Sequence, residues 1–136
     1  VMMTTGENLP GNVKLAIEDC GYTSVWDEFK CQLKNIFKLS SFPVLNAANT
    51  VCSLKAKYDF KEASSINQLK KSKTPTLFIH GSEDKFVPFS MLDEVYNVAS
   101  CKKEKLVIEG AKHGKAGVEN PKLYWETIDN FIKENI

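Results

Sequence analysis

Two short stretches hold the residues in this chain best suited to chemistry. The first, HGSEDKFVP, places His80, Glu83 and Asp84 directly after the apolar run Leu77, Phe78 and Ile79. The second, GAKHGKAG, follows Leu106, Val107 and Ile108 and carries His113, the only other histidine. A carboxylate hydrogen-bonded to an imidazole fixes the ring's tautomer and stabilises its charged form, while the second ring nitrogen takes a proton from a nucleophile. A single loop aspartate is more often a turn former or a cap, and a single histidine between glycines is more often solvated. Asp84 and His113 gain weight because each follows one of two successive apolar runs. Rivals for the acid are Glu83, its neighbour, and Asp19, which also follows an apolar stretch. His80 reads as a packed strand-end residue. Ser24 and Ser82 are the serines nearest this chemistry, and neither sits in the sharp strand-to-helix turn that exposes a nucleophile.

The pair needs elements that bring its loops to one rim. TPTLFIHG is contiguous and apolar, as a strand covered on both faces requires, and KLVIEG repeats the pattern. VKLAIEDC is a third strand, so the expectation is three parallel strands near residues 13–19, 76–80 and 105–109, adjacent in that order. Met91, Leu92, Val95, Tyr96 and Ala99 form a helical stripe, with Pro88 in its first turn. A last helix has Asn120 as N-cap, Pro121 at its first position, and Tyr124, Ile128, Phe131 and Ile132 on its apolar face. Residues 1–12 read as the end of a helix closed by Gly6 and Pro10. Alternating strands and helices predict an α/β sheet with right-handed crossovers, and loops at the C-terminal strand ends then share a crevice. Asp84 is thereby expected to reach His113 Nδ1 at roughly 2.6–3.2 Å.

One connection is far longer than a crossover needs. Residues 24–73 carry helical patterns of their own, Trp26, Phe29, Leu33, Ile36 and Phe37, then Val44, Ala47, Ala48 and Val51. They read as an inserted helical subdomain within a single domain of 1–136, either extra cover for the sheet or a lid over a pocket.

PTLFIHGSEDKFVP resembles the segment of α/β-hydrolase-fold serine hydrolases that ends the seventh strand and carries the triad acid, and GAKHGKAG resembles that superfamily's histidine loop. KLAIEDCGYTS is similar to the sixth strand, residues 24–73 occupy the variable cap position, and acid precedes histidine as in the superfamily. The resemblance covers essentially the whole chain. It implies a partial α/β-hydrolase fold with a helical cap insertion, Asp84 as triad acid and His113 as general base, no cofactor, and a small ester-like substrate. The G-x-S-x-G elbow that precedes this region in the superfamily does not occur in these residues, so Val1–Thr5 would be the far end of the helix after it. The expected parent is an esterase or thioesterase acting through an acyl-enzyme. A peptidase or amidase on the same fold, and a non-catalytic binding module, stay open. The strand at 13–19 would lack one neighbour, with its edge expected to pair with the missing N-terminal half, a second copy, or a rearranged segment of the same chain.

Composition sets the remaining bounds. The 136 residues are 43% hydrophobic and 26% charged, enough for a real core. A net charge of +1 leaves no field to attract nucleic acid. All 18 basic residues are lysines, so no guanidinium fork can grip a carboxylate or phosphate. Cys20, Cys31, Cys52 and Cys101 form no C-x-x-C pair or zinc-like spacing and are expected as thiols, with no metal site. No apolar run is long enough to span a membrane. The opening residues hold no secretory signature, which inclines the expectation to the cytoplasm while leaving upstream targeting open.

Overall fold

Six consecutive residues, Thr76–Gly81, form a strand buried along its entire length, and the rest of the molecule is arranged around it. The computed structural model describes all residues from Val1 to Ile136. This central strand, β2, lies between β1 (Ala16–Asp19) and β3 (Lys103–Ile108), and both pairings are parallel. The register sets Ala16 opposite Thr76, and Thr76 opposite Lys103.

Alternation along β2 sends side chains to two separate cores. Leu77 and Ile79 join Leu106, Ile108, Ala111, Ala116, Ile128 and Phe131 under α6 (Pro121–Asn135). Phe78 points the other way, into Leu69, Leu92, Val95 and Ala99 from α3 (Ser65–Leu69), α4 (Ser90–Val98) and the residue after it. A strand covered on both faces has no use for polar alternation, which is why the run LFI is continuous. Helices α1 (Val25–Asn35) and α2 (Val44–Ala56), with α3, fill the connection between β1 and β2, and a short α5 (Ala116–Glu119) precedes α6. Val25, Leu45 and Phe60 make a third, smaller core beneath α1 and α2. No helix is long and apolar enough to cross a membrane.

Several boundaries differ from expectation for identifiable reasons. Pairing of β1 starts only at Ala16, whose N–H meets the Pro75 carbonyl at 2.8 Å, while Val13 closes a turn onto the Pro10 carbonyl. The N-terminal segment keeps one 3-10 turn, Met2–Thr4, in place of a longer helix end. Pro88 lies just ahead of α4 and accepts from the Met91 N–H at 2.8 Å, with Phe89 at the N-cap position. Asn120 caps α6 by accepting from the Leu123 N–H, with Pro121 at its first turn. In α1 the stripe stops at Leu33, since Ile36 and Phe37 lie past the last helical residue and are exposed. In α2 the inward residues are Leu45, Asn49, Cys52 and Ser53, and the stripe Val44, Ala47, Ala48 and Val51 faces outward. Asn49 turns inward because its side chain accepts from the Phe60 N–H at 2.7 Å and donates to Asp59 at 2.9 Å. All four cysteines are free thiols.

One buried acid on β1 is poorly matched to its surroundings. Glu18 Oε2 accepts from the Gly21 N–H at 2.7 Å, but Oε1 is buried with no partner. Burial pushes its carboxyl up to about 8, with the Gly21 N–H opposing and neighbouring Asp19 adding to the rise. The folded state therefore holds a proton that the unfolded chain releases above about pH 4.5. The associated stability is complete below that pH and is lost as pH rises toward 8. Glu18→Gln mimics the protonated acid and keeps the bond to Gly21. It should flatten the decline in melting temperature across this window and add up to about 4 kcal/mol at pH 8. Thermal unfolding at several pH values checks this, and an unchanged slope in the variant would assign the pH dependence elsewhere.

Candidate active site

Loops leaving the C-terminal ends of the three strands converge on one rim, and direct contacts hold two of them in register. The Glu83 N–H meets the Ala111 carbonyl at 3.0 Å, the Ser82 N–H meets the Ile108 carbonyl at 3.0 Å, and the Gly110 N–H meets Ser82 Oγ at 2.9 Å. Gly81 permits this approach, because a Cβ there would overlap the Ala111 carbonyl. The loop after β2 and the loop after β3 thus behave as one unit.

That unit brings Asp84 to His113. The carboxylate is buried, and His113 Nδ1 donates to its Oδ2 at 2.8 Å. Its Oδ1 accepts from the Phe86 N–H at 2.9 Å and from the Val87 N–H at 3.0 Å. His80 adds a further contact, with Nε2 at 3.4 Å from Oδ2 and 3.1 Å from the Val87 carbonyl. A carbonyl can only accept, so Nε2 carries the proton, leaving His80 Nδ1 buried and unpartnered. The His113 side chain is 43% exposed, and the Phe86 ring lies against it at 4.9 Å between centroids. With Nδ1 occupied, Nε2 is the nitrogen left to exchange a proton at the rim.

The other sequence candidates have different roles. Glu83 is exposed on the loop. Asp19 faces outward and accepts from Tyr124 Oη at 3.0 Å; burial, then this bond, raises the Tyr124 hydroxyl to about 12. Ser24 is the N-cap of α1, its Oγ accepting from the Asp27 N–H at 3.0 Å. Ser82 Oγ is committed to Gly110. Hence neither serine is hydrogen-bonded to His113.

Three nearby residues were not anticipated. Cys20 directly follows β1 with φ at 60°, and its buried Sγ lies within 4.8 Å of the ligand atoms of Asp84 and His113. Burial raises its thiol to about 12, against the Gly114 N–H that donates to sulfur, so at neutral pH it is a poor nucleophile. Glu28 on α1 is buried, and its carboxyl is raised by burial, partly offset by the Gln32 amide and by proximity to His113. Gln32 donates to Glu28 Oε1 and to the Phe86 carbonyl at 2.7 Å, tying α1 to the acid loop. The one available signal for Cys20 was its place at a strand end, equivalent to that of Asp84. For Glu28 and Gln32 there was none, because their burial depends on how α1 docks.

Comparisons with known proteins bear on the fold. No family model matches the chain. The uncharacterized protein YqkD of Bacillus subtilis (strain 168) is 24% identical over 131 residues, covering 96% of this chain and 43% of that protein. The Pyrococcus furiosus esterase Pf2001 superposes with a TM-score of 0.67 at 16% identity, over 98% of this chain and 48% of its own. An acetyl xylan esterase from Paenibacillus sp. R4 gives 0.66 at 16% identity, over 99% and 41%. The acylaminoacyl peptidase of Pyrococcus horikoshii gives 0.62 at 17% identity, over 90% and 20%. The chain thus spans less than half the length of the proteins it matches. Three parallel strands with flanking helices, and strand-end loops gathered on one rim, are those of the C-terminal portion of the α/β-hydrolase fold.

Proposed function

We propose that this chain supplies the acid and histidine of a serine-hydrolase triad, with Asp84 orienting His113 and His113 relaying the proton of a serine carried on a separate elbow. The observation that supports this reading best is the 2.8 Å bond from His113 Nδ1 to a carboxylate whose other oxygen is held by two backbone N–H groups. An aspartate fixed in this way cannot swing to solvent, and the neutral imidazole bonded to it is held as the tautomer whose Nε2 can accept a proton. A carboxylic ester or thioester would be cleaved through an acyl-enzyme, and a peptidase or amidase would use the same pair. Residues 24–73 form the cap of this reading. Phe29, Leu33, Phe37, Val44 and Phe60 line a groove of about 250 Å³ between α1 and α2, and Gln32 joins that cap to the acid loop.

The isolated chain should be silent on this account. The serine and both oxyanion donors lie outside it, and loss of one donor alone costs about 10²–10³ in rate. Purified residues 1–136 should turn over p-nitrophenyl acetate no faster than free imidazole and should take up no fluorophosphonate label. Clear turnover with labelling would place the nucleophile within this chain, with Ser24 and Ser82 the residues to substitute first. In a longer form carrying the elbow, both signals should appear, and His113→Ala should abolish turnover. Asp84→Asn should fall by something near the ~10⁴ seen for a neutralised triad aspartate. If Asp19→Asn proved crippling and Asp84→Asn mild, the acid would belong to the end of β1. Turnover of p-nitroanilides beside p-nitrophenyl esters separates amidase from esterase. A folded long form that binds but never labels would be a non-catalytic module.

The free edge of β1 belongs to the same proposal. A parallel strand with one unpaired edge is a template for strand addition, and Glu18 lies there beside a cleft of about 260 Å³ lined by Val1, Met2, Met3 and Tyr22. The N-terminal half of a hydrolase domain is the occupant proposed, with a second copy as the substitute in its absence. Light scattering on residues 1–136 should therefore show self-association, and amide exchange along 16–19 should slow when the longer form is compared. A monodisperse monomer with the same exchange rate in both forms would remove this part of the reading.

A further inference from the structure

We propose that Cys20, Asp84 and His113 form a binding site for a thiophilic divalent cation of the zinc class, one ligand from the C-terminal end of each strand. A thiol sulfur, a carboxylate oxygen and an imidazole nitrogen here all lie within 4.8 Å of one another. Zinc takes these donor types at about 2.3 Å for sulfur and about 2.0–2.2 Å for nitrogen and oxygen. Tetrahedral ligand atoms are then some 3.3–3.7 Å apart, so the sulfur must draw in by about 1 Å while the Asp84–His113 pair opens from 2.8 Å.

The backbone supports this reading independently of the side-chain distances. Cys20 adopts φ 60°, a left-handed conformation that Gly, Asn and Asp take far more readily than Cys. That conformation turns a buried sulfur toward the rim, where the Gly114 N–H donates to it at 3.3 Å. That bond favours negative charge on sulfur, but burial and Asp19, which accepts from the thiol at 3.0 Å, hold the proton there until a cation displaces it. Gly114 itself has φ of 62°, a left-handed conformation that glycine adopts without strain. Entry is open from the His113 side, since that side chain is partly exposed while Cys20 and Asp84 are buried.

Coordination displaces the Cys20 thiol proton to solvent and replaces the hydrogen bond between His113 Nδ1 and Asp84 with two bonds to the cation. The neutral ring then carries its proton on Nε2. On the triad reading, that tautomer cannot accept a proton from a nucleophile, so the bound cation would hold the hydrolase silent and a chelator would release it. The inhibition rests on the proposed function, whereas the binding itself does not.

Residues 1–136 titrated with Co²⁺ as a spectroscopic probe test the site directly. One equivalent should bring up a thiolate-to-cobalt charge-transfer band in the near ultraviolet with the strong visible bands of tetrahedral cobalt, and Zn²⁺ should bleach both. Cys20→Ser should abolish the charge-transfer band and weaken Zn²⁺ at least about tenfold in calorimetry. His113→Gln, on an exposed loop, should weaken Zn²⁺ similarly while keeping the band. Replacing Cys31, Cys52 and Cys101 together by serine should leave everything in place. A band that survives Cys20→Ser, or no band at millimolar Co²⁺ in the folded wild-type chain, would overturn the proposal. Because the readout is absorbance, failure here leaves the triad reading standing, and an inactive long form leaves this site standing.

Discussion

The Asp84 carboxylate is the point on which the geometry of this chain turns. A buried carboxylate without partners would cost several kcal/mol. Here both oxygens are engaged, one by two successive backbone N–H groups and one by His113, with His80 alongside. These bonds fix the path of the loop from Gly81 to Val87, which in turn presents Phe86 to the His113 ring and the Phe86 carbonyl to Gln32. Without the carboxylate the Phe86 and Val87 N–H groups lose their acceptor, His113 loses its orientation, and α1 loses the loop it is tied to. The adjoining Gly81 contact shows how little slack the arrangement has, since even a methyl group there would push the two loops apart.

The parts legible in the sequence were those governed by local pattern. A run of three apolar residues bounded by turn formers fits a strand covered on both faces of a parallel sheet, and β2 is so buried. The N-cap at Asn120 and the Asp84–His113 juxtaposition follow from similarly short-range logic combined with the rule that strand-end loops share a rim. What failed to show was set by tertiary docking. Apolar count along α2 selects Val44, Ala47, Ala48 and Val51, yet the inward face contains Asn49, because a hydrogen bond to the backbone at Phe60 outweighs the hydrophobic pattern there. For Cys20 the sequence offered only its place at a strand end, with no zinc-like spacing to single it out.

The outward stripe on α2 is therefore a property of the fold and not an error of patterning. Phe42, Val44, Val51 and Leu54 are exposed on the same segment, near Phe37 at 63% and Ile36 at 59% exposure. Single exposed apolar residues are ordinary, but a cluster on one small subdomain is costly in water unless something covers it. In the same subdomain the inner contacts are few, with only Val25, Leu45 and Phe60 buried as a cluster. A layer with a thin core and a greasy exterior gains more from a bound apolar group than a well-packed one would, which is what supports the proposal that it is a cap.

Glu18 and Asp84 are both buried carboxylates at the ends of adjacent strands, and the contrast between them is instructive. Asp84 has donors for both oxygens. Glu18 has one donor, from Gly21, and an oxygen with none, so burial wins and the group holds its proton at neutral pH. Supplying the missing donor would lower that carboxyl and convert a strained acid into a second satisfied one. The unpartnered oxygen lies on β1, the strand with a free edge, and beside the cleft formed with Val1, Met2 and Met3. A strand added at that edge would pair with the β1 backbone in the plane of the sheet, so the missing donor for Glu18 must come from a side chain or loop lying over that face.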